Sequence, residues 1–596
     1  MKKIAVLSIL LLIMASFYCR GSRIIEINGG WYFQTDEDKA GIAEAWFKAD
    51  YPLEKLIAVD DFSHWESLIG SDYDGWGWYF IDFDYRANFE KAALHFLSVD
   101  DNGFVWLNGQ KLGEHRGANL EFKLDATSVL KQGKNRLALL IEDNGGAGGL
   151  NGAVRIVQYQ NSEDLITGKY FSHQTPEHPE WSKNAVIYEL NTRQFTEQGT
   201  FKAVEARLPE LKALGVSIVW FMPIHPIGEK NRKGTLGSYY AVKDFFDINP
   251  EFGDFDDFKR LVREIHRLEM YVIIDLVANH TAWDNPLIER HPEWYTRDEN
   301  GVIVSPVADW SDVADLDYRQ KGVRQYMIEV MKFWVSEADI DGYRCDVAAM
   351  IPTDFWIEAR EELERIKPVF MLAEAETPEL NAFGFDMTYA SKMHHTFNAI
   401  AQGKRSAVTI DQLLRFEFYH YPSNSMRMRF TSNHDENSWN GSAITRMTRG
   451  GAKAGAVLCF TLPGNPLIYN GQEVGNEKAL AFFEKDPIIW QENEFRPFYQ
   501  KLARTYQSHP ALYDGQMTKL NSEDDDAVYA FVREKVEDSV MVVVNFSPKP
   551  FWGHVDLNGV CGQFEELFSR DQVEFKGDQY FFSMDGWEYK IFILVR

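Results

Sequence analysis

The chain of 596 residues is too long for a single hydrophobic core, and at the usual domain size it should hold roughly four domains. Hydrophobic content of 45% and charged content of 25% are those of an ordinary globular protein. The 62 Lys and Arg stand against 89 Asp and Glu, a net charge of −27 with no basic cluster, which excludes nucleic acid and an anionic membrane surface as partners. The first 22 residues begin MKKIAVLSILLLIMASFYC. Two lysines precede an apolar run from Ile4 to Met14, too short to span a bilayer but suited to the core of a secretory signal. They predict an exported protein, periplasmic or extracellular. Cleavage follows Ala15–Ser16 or, alternatively, Cys19 becomes a lipidated first residue and a membrane anchor. Four Cys are a poor basis for a disulfide framework, and Cys345 and Cys459, in apolar runs, are expected as core thiols.

Residues 23–158 alternate in short strands such as LHFLSV, GFVWLNG and NRLALLIED, which predict an antiparallel β-sandwich. Residues 159–183, polar and carrying Pro176 and Pro179, read as a connector. From 184 to 507 strands alternate with helices. AVIYEL is followed by a helix over 201–215, then come VSIVWFMP, the helix DDFKRLVREIHRLEM, YVIIDLV, GYRCDV, PVFMLAEA, RMRFTSN and PLIYN. A strand count near eight predicts a closed (β/α)8 TIM barrel. Its longest interruption, 281–318, follows the third strand. Strands return after 508 in AVYAFVREK, SVMVVVNFS and EYKIFILVR, so residues 508–596 are expected as an all-β domain.

Catalytic groups of such barrels project from the carboxyl ends of the strands. The third ends in Asp275, Asn279 and His280, the fourth in Arg344 and Asp346, the fifth in Glu374, and the seventh in His434 and Asp435. Within GYRCDVA, Tyr343, Cys345 and Val347 share one strand face while Arg344 and Asp346 share the other. Neither charge is cheap to bury alone. Any one of these residues has a structural explanation as a cap or a satisfied core group; their convergence on one rim is harder to explain so.

DLVANH, GYRCDVA, the AEA around Glu374 and SNHDEN, in this order, resemble the four signature segments of the α-amylase family, glycoside hydrolase family 13. GVSIVWFMPIHP, SYYAVKDFFDINPEFGDFDDFKRLV and LPGNPLIYNGQEVG resemble its flanking strands, and the terminal domain resembles its usual β-domain. The resemblance implies Asp346 as nucleophile, Glu374 as general acid/base and Asp435 as transition-state stabiliser. It implies Arg344, His280 and His434 as holders of sugar and carboxylates, Tyr240 as the ring under the cleaved residue, and Asp275 as organiser of the site. Retaining hydrolysis of a glycosidic bond needs such a carboxylate pair, and a cation beside the nucleophile is expected to lower its pKa. FSHWESL, GWGWYF, VWLNGQKLGEHRG and LKQGKNRLALLI resemble the jelly-roll domain of family 2 glycosidases. This implies a sugar-binding face carrying Trp76, Trp78 or Trp106; the alternative, which we favour, is that these indoles are core.

No cofactor is required, and calcium, with Asn279 as its candidate ligand, is the open alternative. HExxH and CxxC spacings of a zinc site are missing. Relatives carry calcium on an Asn at the position of Asn279, but the Lys-His pair after the nucleophile segment is replaced here by Ala349–Met350, removing a calcium ligand and a substrate lysine. DVA resembles neopullulanases and cyclomaltodextrinases, whereas VADLDY (313–318) stands where those carry MPKLN, and NTRQFTEQGTF does not resemble their calcium segment. Trp283 and Trp310 line the substrate path or pack the loop. The expected activity is hydrolysis of α-1,4 bonds in starch-like glucans or maltodextrins. The alternatives are a neopullulanase, a cyclomaltodextrinase or a transglycosylase, and, from another class, a non-catalytic carbohydrate-binding protein.

Overall fold

A computed structural model describes residues 24–595 apart from 28, 60–61, 71–72, 88 and 144–147. The expected export signal and Cys19 therefore lie outside the described residues. In the amino-terminal unit, two antiparallel sheets of four and six strands enclose a common core. Strands Trp76–Tyr85 and Gly133–Glu142 pair over their full length. Their period-two alternation sends Tyr79, Ile81, Leu137, Leu139 and Ile141 into that core. The intervening Trp78 and Phe80 face the other way, where they form a second cluster with Trp106. Trp78 and Trp106 are buried, so neither indole face is open to a sugar. Trp76, half-buried, donates its indole N–H to Glu142 at 3.1 Å.

The second unit holds the barrel and the carboxyl-terminal β-domain. Eight parallel strands close a ring: Ile187–Leu190, Ile218–Phe221, Tyr271–Leu276, Gly342–Cys345, Phe370–Ala373, Met387–Tyr389, Met426–Arg429 and Asn465–Tyr469. Inward residues such as Ile187, Ile218, Ile273, Phe370, Leu372, Met428 and Leu467 fill it. Trp181, from the polar connector, lies flat on Tyr271 with ring centroids 3.9 Å apart. The helix Phe255–Arg267 begins at a capping box between Asp254 and Asp257. It buries Phe258, Leu261, Val262 and Ile265, each contributing about 1.5–3 kcal/mol.

Two elements depart from the sequence reading. The single helix expected over 201–215 is two, Phe201–Glu205 and Leu208–Leu214, because Pro209 fits only the first turn of the second. The sixth strand, Met387–Tyr389, is only three residues long and falls within a segment with no recognisable strand pattern. In the carboxyl-terminal domain, a six-stranded and a two-stranded antiparallel sheet share one apolar core.

Gly342 opens the fourth barrel strand at φ +153°, where a Cβ would lie 1.9 Å from the Phe370 carbonyl oxygen. The strand that carries Arg344 can therefore start only with glycine. Gly342→Ala should lose about 3 kcal/mol or more and unfold at markedly lower temperature, whereas Gly301→Ala, whose Cβ position is open, should lose about 1 kcal/mol for its positive φ alone. Thermal melts of the two variants check this.

Candidate active site

The strand carrying Arg344 lies between the third and fifth strands, with Arg344 in register with Asp275 and Leu372. Its guanidinium is fully buried at the carboxyl rim. Nη1 donates to Asp275 Oδ1 at 2.8 Å and to Asp346 Oδ1 at 2.9 Å, and Nε donates to the Tyr389 hydroxyl at 3.1 Å. Nη2 makes an ion-pair contact of 2.9 Å with Glu374 Oε2. The rings of Trp220, Tyr240 and Tyr389 lie 5.2–5.7 Å from its centre. One buried cation thus gathers three carboxylates from three adjacent strands.

Each carboxylate has further partners. Asp275 Oδ2 accepts from the Tyr240 hydroxyl at 3.0 Å and from the Trp220 indole at 3.3 Å. Glu374 Oε2 accepts from the Val347 N–H at 2.7 Å. Val347 sits at φ +38°, a strained conformation for a β-branched residue, and in it the amide points at Glu374. Asp435 is 42% exposed, with Oδ2 3.3 Å from His434 Nε2. His434 Nε2 is also 2.8 Å from the Tyr240 hydroxyl, and Nδ1 is 2.5 Å from Glu189 Oε1.

Charge is unevenly shared in this network. Burial, joined by the neighbouring Glu374, pushes the Asp346 carboxyl well up, and Arg344 only partly opposes them. Arg344 does act to lower this carboxyl, as expected, but burial and then Glu374 outweigh it, so the net direction is upward. Burial alone would lower the His434 imidazole, but Asp435 and Glu189 outweigh it and hold it at about 9. His434 is thus a cation at neutral pH, donating from both nitrogens. Burial lowers the His280 imidazole to about 4, so it is neutral.

Tyr240, His280, Asp346, Glu374, His434 and Asp435 line one cleft, while Arg344 and Asp275 support it from below. Asn279 stands behind it: its side-chain nitrogen donates to Asp315 Oδ1 at 3.3 Å, and its backbone carbonyl accepts from the Leu316 N–H at 3.0 Å. Trp310 lines the cleft beside His280, whereas Trp283 donates to the Ser311 carbonyl in its own loop. Glu189, Trp220, Tyr389, Phe482, Trp439 and Lys233 also belong to the site or its support, though none falls in the four signature segments. Glu189 carried the same signal as Arg344, since it shares the inward face of its strand with Ile187. Lys233 reaches the cleft from another loop, its ammonium 3.2 Å from Asp312, and no spacing announced it.

A parallel barrel with a carboxylate cluster on its carboxyl rim, in a chain that also carries a β-sandwich and a terminal β-domain, defines the class as a multidomain barrel glycoside hydrolase. Residues 166–302 and 306–540 match the α-amylase catalytic domain, and the chain belongs to the α-amylase family, glycoside hydrolase family 13. Residues 517–591 match the maltogenic amylase C-terminal domain, and residues 24–145 the sugar-binding domain of glycosyl hydrolases family 2. The structure is similar to that of a noncanonic maltogenic α-amylase, AmyB, from Thermotoga neapolitana, with 34% identity and a TM-score of 0.65 over 70% of this chain and 100% of that one. The α-amylase MalA of Haloarcula japonica is 28% identical over 393 residues, which is 62% of this chain and 57% of that one. Neopullulanase 2 of Thermoactinomyces vulgaris is 27% identical over 421 residues, 62% of this chain and 70% of that one.

A histidine held as a cation by neighbouring carboxylates stabilises the fold only while it is charged. Its folded value of about 9 lies above the ordinary 6.5, so the stabilisation, about 3 kcal/mol, is complete below pH 6.5 and lost as pH rises through 9. The melting temperature should fall between pH 7 and about 9.5, and His434→Gln should flatten that fall; melts across the range measure both.

Proposed function

We propose that this chain hydrolyses α-1,4-glucosidic bonds of starch-like glucans and maltodextrins with retention of configuration. The observation that carries the reading is the shared guanidinium: Asp346 and Glu374 grip adjacent amino groups of Arg344, which brings the two carboxyls together over one cleft. Retaining glycosidases need that proximity for attack on C1 by one carboxylate and protonation of the leaving oxygen by another carboxylic acid.

Hydrogen bonding assigns the oxygens. Asp346 Oδ1 is engaged by Arg344, so Oδ2 is the one free to attack. Glu374 Oε2 is engaged by Arg344 and the Val347 amide, so the proton for the leaving group sits on Oε1. The productive state has Asp346 ionised and Glu374 protonated. Attack by Oδ2 forms the glycosyl–Asp346 ester as Oε1 gives its proton to the departing oxygen. Glu374, now the base, then takes a proton from water as that water attacks C1 and releases Asp346. Tyr240, stacked on the His434 imidazole at 5.4 Å and 20°, provides the ring under the cleaved glucosyl unit. Asp435 and the His434 cation favour positive charge at C1 and hydrogen bonds to the ring hydroxyls respectively.

Similarity to both α-amylases and a neopullulanase supports activity on α-glucans while leaving pullulan and cyclodextrins as test substrates. Transfer to a second sugar in place of water uses the same ester. The residues around Asn279 support an enzyme without bound calcium. The Asn279 side-chain nitrogen and backbone carbonyl are already used, and its side-chain oxygen together with the Asp315 carboxylate is short of the six to eight oxygen ligands that calcium takes. Export remains part of the proposal, and the mass of the mature amino terminus, with or without acyl chains on Cys19, tests it.

Incubation with amylose, pullulan and β-cyclodextrin, with products sized and their anomers followed by NMR, should show α-configured maltooligosaccharides from amylose. Glu374→Gln should lower kcat about 10²–10⁴-fold, and Asp346→Asn should abolish turnover; full activity of Asp346→Asn on every glucan overturns the mechanism. Exhaustive chelation should leave both activity and melting temperature unchanged, whereas a fall in either restores calcium to the site.

A further inference from the structure

One carboxylate of the site lies too deep to touch a sugar. Glu189 is fully buried on the first barrel strand, in register with Trp220 and Tyr469 of the strands on either side. It does not line the cleft. Its Oε1 is 2.5 Å from His434 Nδ1, while Oε2, equally enclosed, has no hydrogen-bond partner among the described residues. The hydrogen bonding of this carboxylate is therefore directed at one imidazole. A buried charge pair is a weak source of stability, since well-packed apolar residues of similar volume often serve a core as well or better. Folding alone does not account for Glu189.

The pair opens a chain of hydrogen bonds that runs beneath the cleft. His434 Nε2 is 2.8 Å from the Tyr240 hydroxyl, that hydroxyl donates to Asp275 Oδ2 at 3.0 Å, and Asp275 Oδ1 accepts from Arg344 at 2.8 Å. An imidazolium donates from Nδ1 to Glu189 and from Nε2 to the Tyr240 oxygen, which leaves the Tyr240 proton for Asp275. A neutral imidazole bound to Glu189 through Nδ1–H would present a bare Nε2, and Nε2 and Asp275 would compete for that one proton. The direction of the chain thus depends on the charge at its inner end. Glu189 from the first strand, Asp435 from the histidine's own helix, Arg344 from the fourth strand and the Tyr240 hydroxyl face His434, with Asp275 one hydroxyl further on. The Trp220 and Phe482 rings complete its surroundings. Burial and Arg344 disfavour the cation, and Asp435 and Glu189 outweigh them. Asp435 is open to water, which screens it, whereas Glu189 is held in place by the barrel.

We propose that Glu189 is a positioning residue for the hydrolysis: through His434 it fixes the Tyr240 hydroxyl on Asp275 and keeps Nε2 a donor. It acts without touching the sugar. The inference rests on the reading of His434 and Tyr240 as groups that hold the cleaved glucosyl unit. Loss of the Glu189 charge weakens the hold of His434 on its proton, so the effect grows as pH rises.

The test follows kcat/KM on maltopentaose against pH in wild type, Glu189→Gln and Glu189→Asp. Glutamine keeps the shape and an acceptor for Nδ1–H but removes the charge. Taking the ratio of variant to wild type cancels any limb the two share, such as that of Glu374. For Glu189→Gln this ratio should fall about threefold or more between pH 6 and 8.5, as a loss of about one pH unit or more at His434 requires. Glu189→Asp, which keeps the charge, should give a ratio that changes little with pH. Histidine ¹⁵N shifts, with His434→Gln to assign the signal, should show His434 charged at pH 7.5 in wild type and losing its proton at lower pH in Glu189→Gln. A Glu189→Gln ratio that is flat across pH, as a merely structural role gives, overturns the assignment and leaves the glycosidase reading standing. So does a wild-type His434 that is neutral at pH 7.5. A folded wild type that cleaves no α-glucan overturns that reading and the positioning role with it.

Discussion

A guanidinium with no access to water needs compensating negative charge, and Arg344 receives it from three carboxylates at once. Burying such a cation costs several kcal/mol, and three carboxylates in ion-pair contact at 2.8–2.9 Å, two of them hydrogen-bonded, offset that cost. Asp275, Asp346 and Glu374 come from three neighbouring strands, so the ion cluster also locks the local register of the barrel. Gly342 lets that strand pass against Phe370, and strained Val347 ends it with an amide on Glu374. The sequence around Arg344 is thus shaped on both sides by the need to place one cation.

The surplus of negative charge has its own consequences. Burial and mutual repulsion among the acids raise the Asp346 carboxyl, while His434, flanked by Glu189 and Asp435, gains a proton. His280, lined by aromatic and amide groups, loses one. Two histidines of one cleft therefore differ in charge state, and the difference lies in the Glu189 and Asp435 carboxylates at His434 rather than in burial, which both share. A cationic imidazole presents two donors and a neutral one presents a donor and an acceptor, so the two make different contacts with a ring of hydroxyls.

Much of this was legible before any coordinates. The βα alternation announced a barrel, and strand-end polarity singled out Asp275, Arg344, Asp346, Glu374, His434 and Asp435, which the structure brings to one rim. Period-two alternation explained why Arg344 and Asp346 meet. The same rule applied to Ile187 and Glu189 would have found Glu189 as well. The break at Pro209 was readable from proline's missing N–H, although the apolar periodicity ran through it. The three-residue strand Met387–Tyr389 was too short to show a period, and it takes its conformation from the neighbours it pairs with.

The amino-acid sequence by itself determined the order of elements and the chemical types at the strand ends, because periodicity and strand polarity are local properties of the chain. Tertiary structure alone decided which carboxylate oxygens stay free, which histidine is charged, and that Phe482, Trp439 and Lys233 reach the cleft. Those outcomes depend on distances between residues far apart in the chain, such as Glu189 and His434, and on burial that exists only once the barrel has closed.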